Sequence, residues 1–270
     1  MPVIRRPRRL VAAALPLSLL PLLLLPLLSL TACAGPGDVR ADPVDKAAAH
    51  ARDDRAGKAP KPGPRASPPL PVAPAEIPGL GPATRAAIPQ ESRQAVVVRG
   101  ENVDGNLSWA TLYERHPRTG WRRASAAWPS HNAVKGWTHH HVQNDLRSPI
   151  GVFGLTDAGG LLPDPGTRLP YDQGPAFTAR GTGSLGEPLE GSFDYVVAIN
   201  YNRRPGTTPL DWTRPLGEHR GGGIWIHVDH DGPTQGCVSL QRPHMRELLL
   251  WLDPSKHPVV VMGDETSLAR

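Results

Sequence analysis

Two side chains within the segment Gly222–Leu240 could do nucleophilic chemistry together: His227 and Cys237. A thiolate is the reactive form of cysteine. A free thiol titrates near about 8.5 and therefore needs an adjacent base or a positive field. His227 ends an apolar run, Ile224-Trp225-Ile226-His227-Val228, and an Asp/Gly/Pro loop leads on to Gly236-Cys237-Val238. Such a loop can fold back and bring base and thiol together. Gly236 would let the backbone turn sharply and aim N–H groups at a developing oxyanion. Taken alone, a buried cysteine is more often a small inert hydrophobe, and a strand-end histidine is as often a core residue as a base. The pairing of the two is what favours catalysis.

Competing chemistry is visible in the same stretch. His227-Val228-Asp229-His230-Asp231 clusters metal-ligand types, which leaves a zinc-dependent amidase as an alternative. Two histidines three apart at a strand–loop boundary are not a ligand set, so no metal is expected. His139-His140-His141 reads as a solvated loop that at most lines a cleft.

The elements that must position these groups read as mostly β. Ala95–Val98, Trp109–Glu114 and Trp121–Arg123 form an opening meander, with Thr119-Gly120 as a turn signal. Pro149–Leu155, Tyr195–Ile199, Ile224–Val228 and Pro258–Gly263 read as further strands. One helix is expected over His244–Leu252, with Pro243 in its first turn and Met245, Leu248, Leu249 and Leu252 on one side. Trp109, Trp121, Trp128, Trp225 and Trp251 are assigned to core or sheet faces. A β-rich domain is expected over residues 92–264, followed by a tail, 265–270.

The His227–Cys237 segment resembles the catalytic signature of the L,D-transpeptidase (YkuD) family: an apolar strand ending in His, a loop, then Ser/Thr-His-Gly-Cys and an apolar residue. Lys135 and Ser148-Pro149-Ile150-Gly151-Val152-Phe153 resemble the family's upstream Lys and Thr-Pro-x-Gly segment. The resemblance spans about the last 175 residues. It implies a β-sandwich-like catalytic fold with one or two short helices. It also implies acyl transfer on peptidoglycan stem peptides: His227 as base, Cys237 as nucleophile, an acyl-enzyme formed as D-alanine leaves, then a 3→3 cross-link or hydrolysis. No metal or organic cofactor is implied.

Thr234, Gln235 and Ser239 stand at positions expected to contact substrate, and Tyr201 is a further candidate contact. Gln235 replaces the usual second histidine, Ser239 replaces Asn or Arg, and the His-to-Cys spacing is shorter than usual. These departures leave a third alternative: a non-catalytic peptidoglycan-binding module that keeps the fold.

The N-terminus reads as an address. Arg5, Arg6, Arg8 and Arg9 precede a leucine-rich run over Leu10–Leu30, and Leu30-Thr31-Ala32-Cys33 follows. A basic region, an apolar region and a small-residue site make a signal peptide, 1–32. The tetrad resembles a lipobox, in which Cys33 is lipidated and holds the mature protein on the cell membrane, outside the cytoplasm, in the cell wall. Pro16, Pro21 and Pro26 argue against a spanning helix. Residues 33–91 read as a Pro/Ala-rich linker: ten prolines fall within 60–89, and such a segment cannot bury enough surface to offset its ordering entropy.

The net charge of +5 suggests nucleic acid only until the leader is removed. The four leader arginines supply most of it, and no acidic residue leaves with them. No nucleic-acid-binding motif accompanies it, so that partner class is excluded. Oligomeric state is not legible in the sequence.

Overall fold

The computed structural model describes residues 75–270. The signal peptide, Cys33 and most of the linker lie outside the described residues. The strands are, in chain order, β1 (Gln94–Gly100), β2 (Leu107–His116), β3 (Gly120–Arg123), β4 (Trp128–His131), β5 (Trp137–Thr138), β6 (Ser148–Pro149), β7 (Gly151–Gly160), β8 (Tyr171–Gln173), β9 (Val196–Ile199), β10 (Trp225–Val228), β11 (Val238–Leu240) and β12 (Val259–Asp264). The helices are α1 (Pro82–Ala87), α2 (Arg242–Trp251) and α3 (Glu265–Leu268). The mainly β character expected from the sequence is present.

The pairing departs from the expected two-sheet sandwich. Hydrogen bonds run β1–β12–β7–β9–β10–β11–β4–β2 and return from β2 to β1, so the sheet closes into a barrel. β1–β12 and β10–β11 are parallel, and the other neighbours around the ring are antiparallel. Closure follows from β1 having two partners, β2 on one side and the distant β12 on the other. It removes the exposed edges that a sandwich would have to protect.

A barrel of about eight strands has an interior that side chains just fill. Here Val96, Val98, Leu112, Val197, Ile199, Ile226, Val238, Leu240, Val260 and Met262 point inward and pack with Met245, Leu248, Leu249 and Leu252 from α2 and the residue after it. The apolar stripe foreseen for that helix is thus its buried face. β1, β9 and β12 are buried on both faces, which is why they read as unbroken apolar runs and not as alternating ones.

Two separate layers cover the outside. Over β1 and β12, the outward residues Ala95, Val97, Val259 and Val261 pack with Ile77, Leu80, Ile88, Trp121 and Leu268. The folded unit therefore begins well before residue 92, with Ala75 bonded on both sides of Gly120 (Ala75 N to Thr119 O, 2.9 Å; Trp121 N to Ala75 O, 2.7 Å). It also ends later than expected: α3 is capped by the Asp264 carboxylate, which accepts from Ser267 N at 3.0 Å, and Leu268 is buried. The 75–91 stretch hides its apolar residues singly among prolines, where periodicity is no guide.

Over β9 and β10 the outward residues Val196, Ala198 and Trp225 pack with Phe177, Phe193 and Leu210. This second layer comes from the long connections flanking β9. Trp121 and Trp128 are core, as assigned, and Trp225 packs in this outer layer, whereas Trp109 stands exposed on the sheet surface. None of the described helices is long and apolar enough to cross a membrane.

Candidate active site

β10 and β11 run parallel with Ile226 opposite Val238 and His227 opposite Ser239. One residue back, Trp225 faces Cys237, whose Sγ accepts the Trp225 N–H at 3.4 Å. Side chains alternate along a strand. Since Ile226 and Val238 fill the barrel, Trp225, His227, Cys237 and Ser239 lie on its outer face. His227 and Cys237 are then diagonal neighbours on adjacent strands, with Cα atoms about 8 Å apart from strand spacing and residue rise. Both line one cleft of about 340 Å³.

His227 is buried, and its ring is fixed by three neighbours. Nδ1 lies 2.8 Å from Val228 O. A carbonyl can only accept, so Nδ1 carries the proton and Nε2 is left as a free acceptor. Phe193 meets the ring edge-on at 5.4 Å, and His230 stacks parallel to it at 5.8 Å. Burial pushes the His227 imidazole down to about 4, so it is neutral at pH 7 and able to take a proton.

Cys237 is half-buried, with apolar surroundings that push its thiol up to about 11. Its proton points at Gly223 O, 3.7 Å away. The resting pair is therefore a neutral thiol and a neutral imidazole. The thiol proton must swing away from Gly223 O before it can be donated to His227.

The loop before Cys237 is held by hydroxyls. Thr234 Oγ1 donates to Cys237 O at 2.6 Å and accepts Gly236 N–H at 3.3 Å, while Ser148 Oγ donates to the same carbonyl at 3.2 Å. Thr234 is buried, and its hydroxyl is committed to shaping the nucleophile loop. Thr234→Val is expected to lower stability by about 1–3 kcal/mol, the cost of orphaning buried polar groups, as read from a denaturant midpoint.

Gly236 sits outside the left-handed region, unlike the sharp turn expected of it. Space is tight there: a Cβ would lie 3.0 Å from Ile224 Cδ1, which would have to give by a few tenths of an ångström. The left-handed turn of this loop is made by Asp231, at φ 63°.

Gln235 is exposed and lines the cleft. Ser239 does not: it is fully buried and donates to Asp229 Oδ1 at 2.6 Å, beside the His131–Asp229 pair at 2.9 Å. That bond pair holds the Asp229 carboxyl below its usual range against the opposing effect of burial, and raises His131. Tyr201 is also away from the cleft. Its buried hydroxyl donates to Arg220 O at 2.9 Å, with His141 O also within reach at 3.2 Å. Ser239 and Tyr201 thus brace the site from behind, and neither is placed to touch a ligand.

Of the histidine triplet, His139 and His140 are exposed as expected, and His141 lines the cleft, the one role in the site left open to the triplet, but is buried against Asp145 (3.0 Å) and not solvated. Trp212, Arg214 and Phe193 also line it. Sequence reasoning missed these three, which arrive on connections with no periodicity. Lys135 is exposed and does not line the cleft. Among the described residues, no three His, Cys, Asp or Glu side chains converge as a metal-ligand set. No protein-family model and no curated protein sequence matches the chain.

Proposed function

We propose that the chain is a cysteine-dependent L,D-transpeptidase acting on peptidoglycan stem peptides, anchored outside the cell membrane through a lipid on Cys33. The observation that carries this reading is the placement of a thiol and a neutral, tautomer-fixed histidine on one face of two adjacent parallel strands, opening into one cleft. The barrel with its covering layer stands where the resemblance implies a β-sandwich-like fold, and the reading rests on the site more than on that architecture.

In this proposal Cys237 turns toward His227, and Nε2 takes the Sγ proton as sulfur attacks the carbonyl before the terminal D-alanine. The Cys237 N–H is the candidate donor to the resulting oxyanion, because the Gly236 N–H is turned onto Thr234 Oγ1. The C–N bond breaks, the imidazolium returns the proton to the departing amine, and a thioester remains on Cys237. The amine of a second stem peptide then displaces sulfur to give a 3→3 cross-link, or water does so to give a trimmed stem.

The zinc amidase has less support. His227 commits Nδ1 to Val228 O, and Asp229 is held by His131 and Ser239. The non-catalytic reading draws on the thiol's resting bond to Gly223 O and its raised titration.

Intact mass spectrometry of the full chain with a carbapenem separates these readings. A stoichiometric adduct that is lost in Cys237→Ala and kept under chelation is the expected result. A folded wild-type chain that stays unmodified would remove the transpeptidase.

A further inference from the structure

Among the described residues lining the cleft, Arg214 is the one side chain with a permanent charge, and no aspartate or glutamate accompanies it. Its guanidinium meets only neutral acceptors: Nη1 donates to Gln143 Oε1 at 2.7 Å and toward Glu218 O at 3.5 Å. It also lies 5.4 Å from the centre of the Trp212 ring, a cation–π contact that supplies no counter-charge.

The arginine is placed by its backbone. Gly217 N donates to Arg214 O at 2.9 Å. Buried Asn202 ties the loop down, with Nδ2 donating to Gly217 O at 2.9 Å and Oδ1 accepting Leu216 N at 2.7 Å. The stem then runs over Gly222, where a Cβ would meet Arg214 Nε at 3.1 Å, and the Trp212 indole lies over Gly223, where a Cβ would meet it at 3.2 Å. Gly223 O is also the group that holds the Cys237 thiol. The glycine strip thus forms a floor with the nucleophile, an aromatic wall and a fixed guanidinium along it.

The geometry points to Arg214 as the specificity-determining residue of this cleft, reading a carboxylate on the acyl-donor peptide while Trp212 covers the adjoining apolar part of the chain. This rests on the transpeptidase reading for the peptide's identity. The pairing chemistry does not, since a planar guanidinium with free donors matches a carboxylate bidentately. A stem tetrapeptide offers two such groups near the bond to be cut: its C-terminal carboxylate, and the side-chain carboxylate of its diamino acid where there is one.

The test uses the full chain carrying Cys237→Ala, so that binding is measured without turnover, and titrates a stem tetrapeptide and its two monoamides by calorimetry. The free acid is expected to bind roughly 10- to 100-fold more tightly than one of the monoamides, and that monoamide identifies the carboxylate. Adding Arg214→Gln is expected to abolish the difference, while Arg214→Lys, which keeps the charge but not the bidentate fork, retains only part of it. A difference that survives Arg214→Gln, or no preference for the acid in the starting protein, including no measurable binding of it, would overturn the assignment.

The carbapenem experiment keeps the two readings apart. An adduct on the wild-type chain without acid-over-amide preference removes Arg214 alone. Arginine-dependent acid binding without an adduct removes the transpeptidase and leaves the carboxylate site.

Discussion

Replacing His227 by glutamine is expected to slow acylation of Cys237 about 10²- to 10⁴-fold, the usual contribution of a positioned general base. Glutamine keeps similar bulk and a polar end beside Val228 O but has no basic nitrogen. The pH profile carries more information than the rate. Burial holds His227 near 4, so the free base is present throughout pH 5–8. The wild-type rate should therefore be flat there, with its acid limb near pH 4 in place of the ordinary histidine range around 6.5.

The same depression has a stability consequence. A group whose folded-state value lies below its unfolded one contributes stability above the unfolded value, and that contribution is lost as pH falls through the folded one. Acid inactivation and acid unfolding will thus overlap near pH 4. Circular dichroism at each pH separates them, and a rate that falls below pH 6.5 in a protein that stays folded would show that the imidazole is solvated.

Alkylation of Cys237 by iodoacetamide at pH 7 is expected to be about 10- to 100-fold slower than for a cysteine in an unfolded peptide. The reacting species is the thiolate, and burial pushes the thiol up to about 11. That shift is tempered by the sulfur's contact with the cleft. Rates should still be climbing at pH 9, and guanidinium should remove the protection. A rate plateau below pH 7 would mean a pre-formed thiolate–imidazolium pair, which a His227 near 4 cannot supply. In the proposed mechanism the slow thiol and the neutral base belong together: proton transfer would take place during attack, when a bound carbonyl excludes water, and not beforehand.

Much of the scaffold was legible for identifiable reasons. Val96-Val97-Val98 and Val259-Val260-Val261 are buried on both faces, so composition alone marks them. α2 has one buried stripe and a first-turn proline. β4, Trp128-Pro129-Ser130-His131, was not legible because a proline usually demotes a strand, although Pro129 here is exposed. Closure of the barrel depends on β1 meeting β12, a pairing no local pattern encodes.

At the site, Cys237 and His227 were legible because strand, loop and Gly-Cys are adjacent in sequence. The burial of Ser239 was not, since its partners His131 and Asp229 come together only through the β4–β11 and β10–β11 registers. Arg214 and Trp212 were silent because they sit on connections whose course is set by Asn202, one buried amide.

The parallel pairing of Ala95 with Val259 has a bearing on how the chain reaches this state. The ring closes only when β12, near the end of the chain, slots between β1 and β7, and the outer layer over β1 is completed by Leu268. Until β12 is in place, β1 and β7 each lack one of their strand partners. Contacts that join distant parts of a chain form slowly. Closure of the ring is therefore expected to be a late folding event, set by the arrival of β12 beside β1.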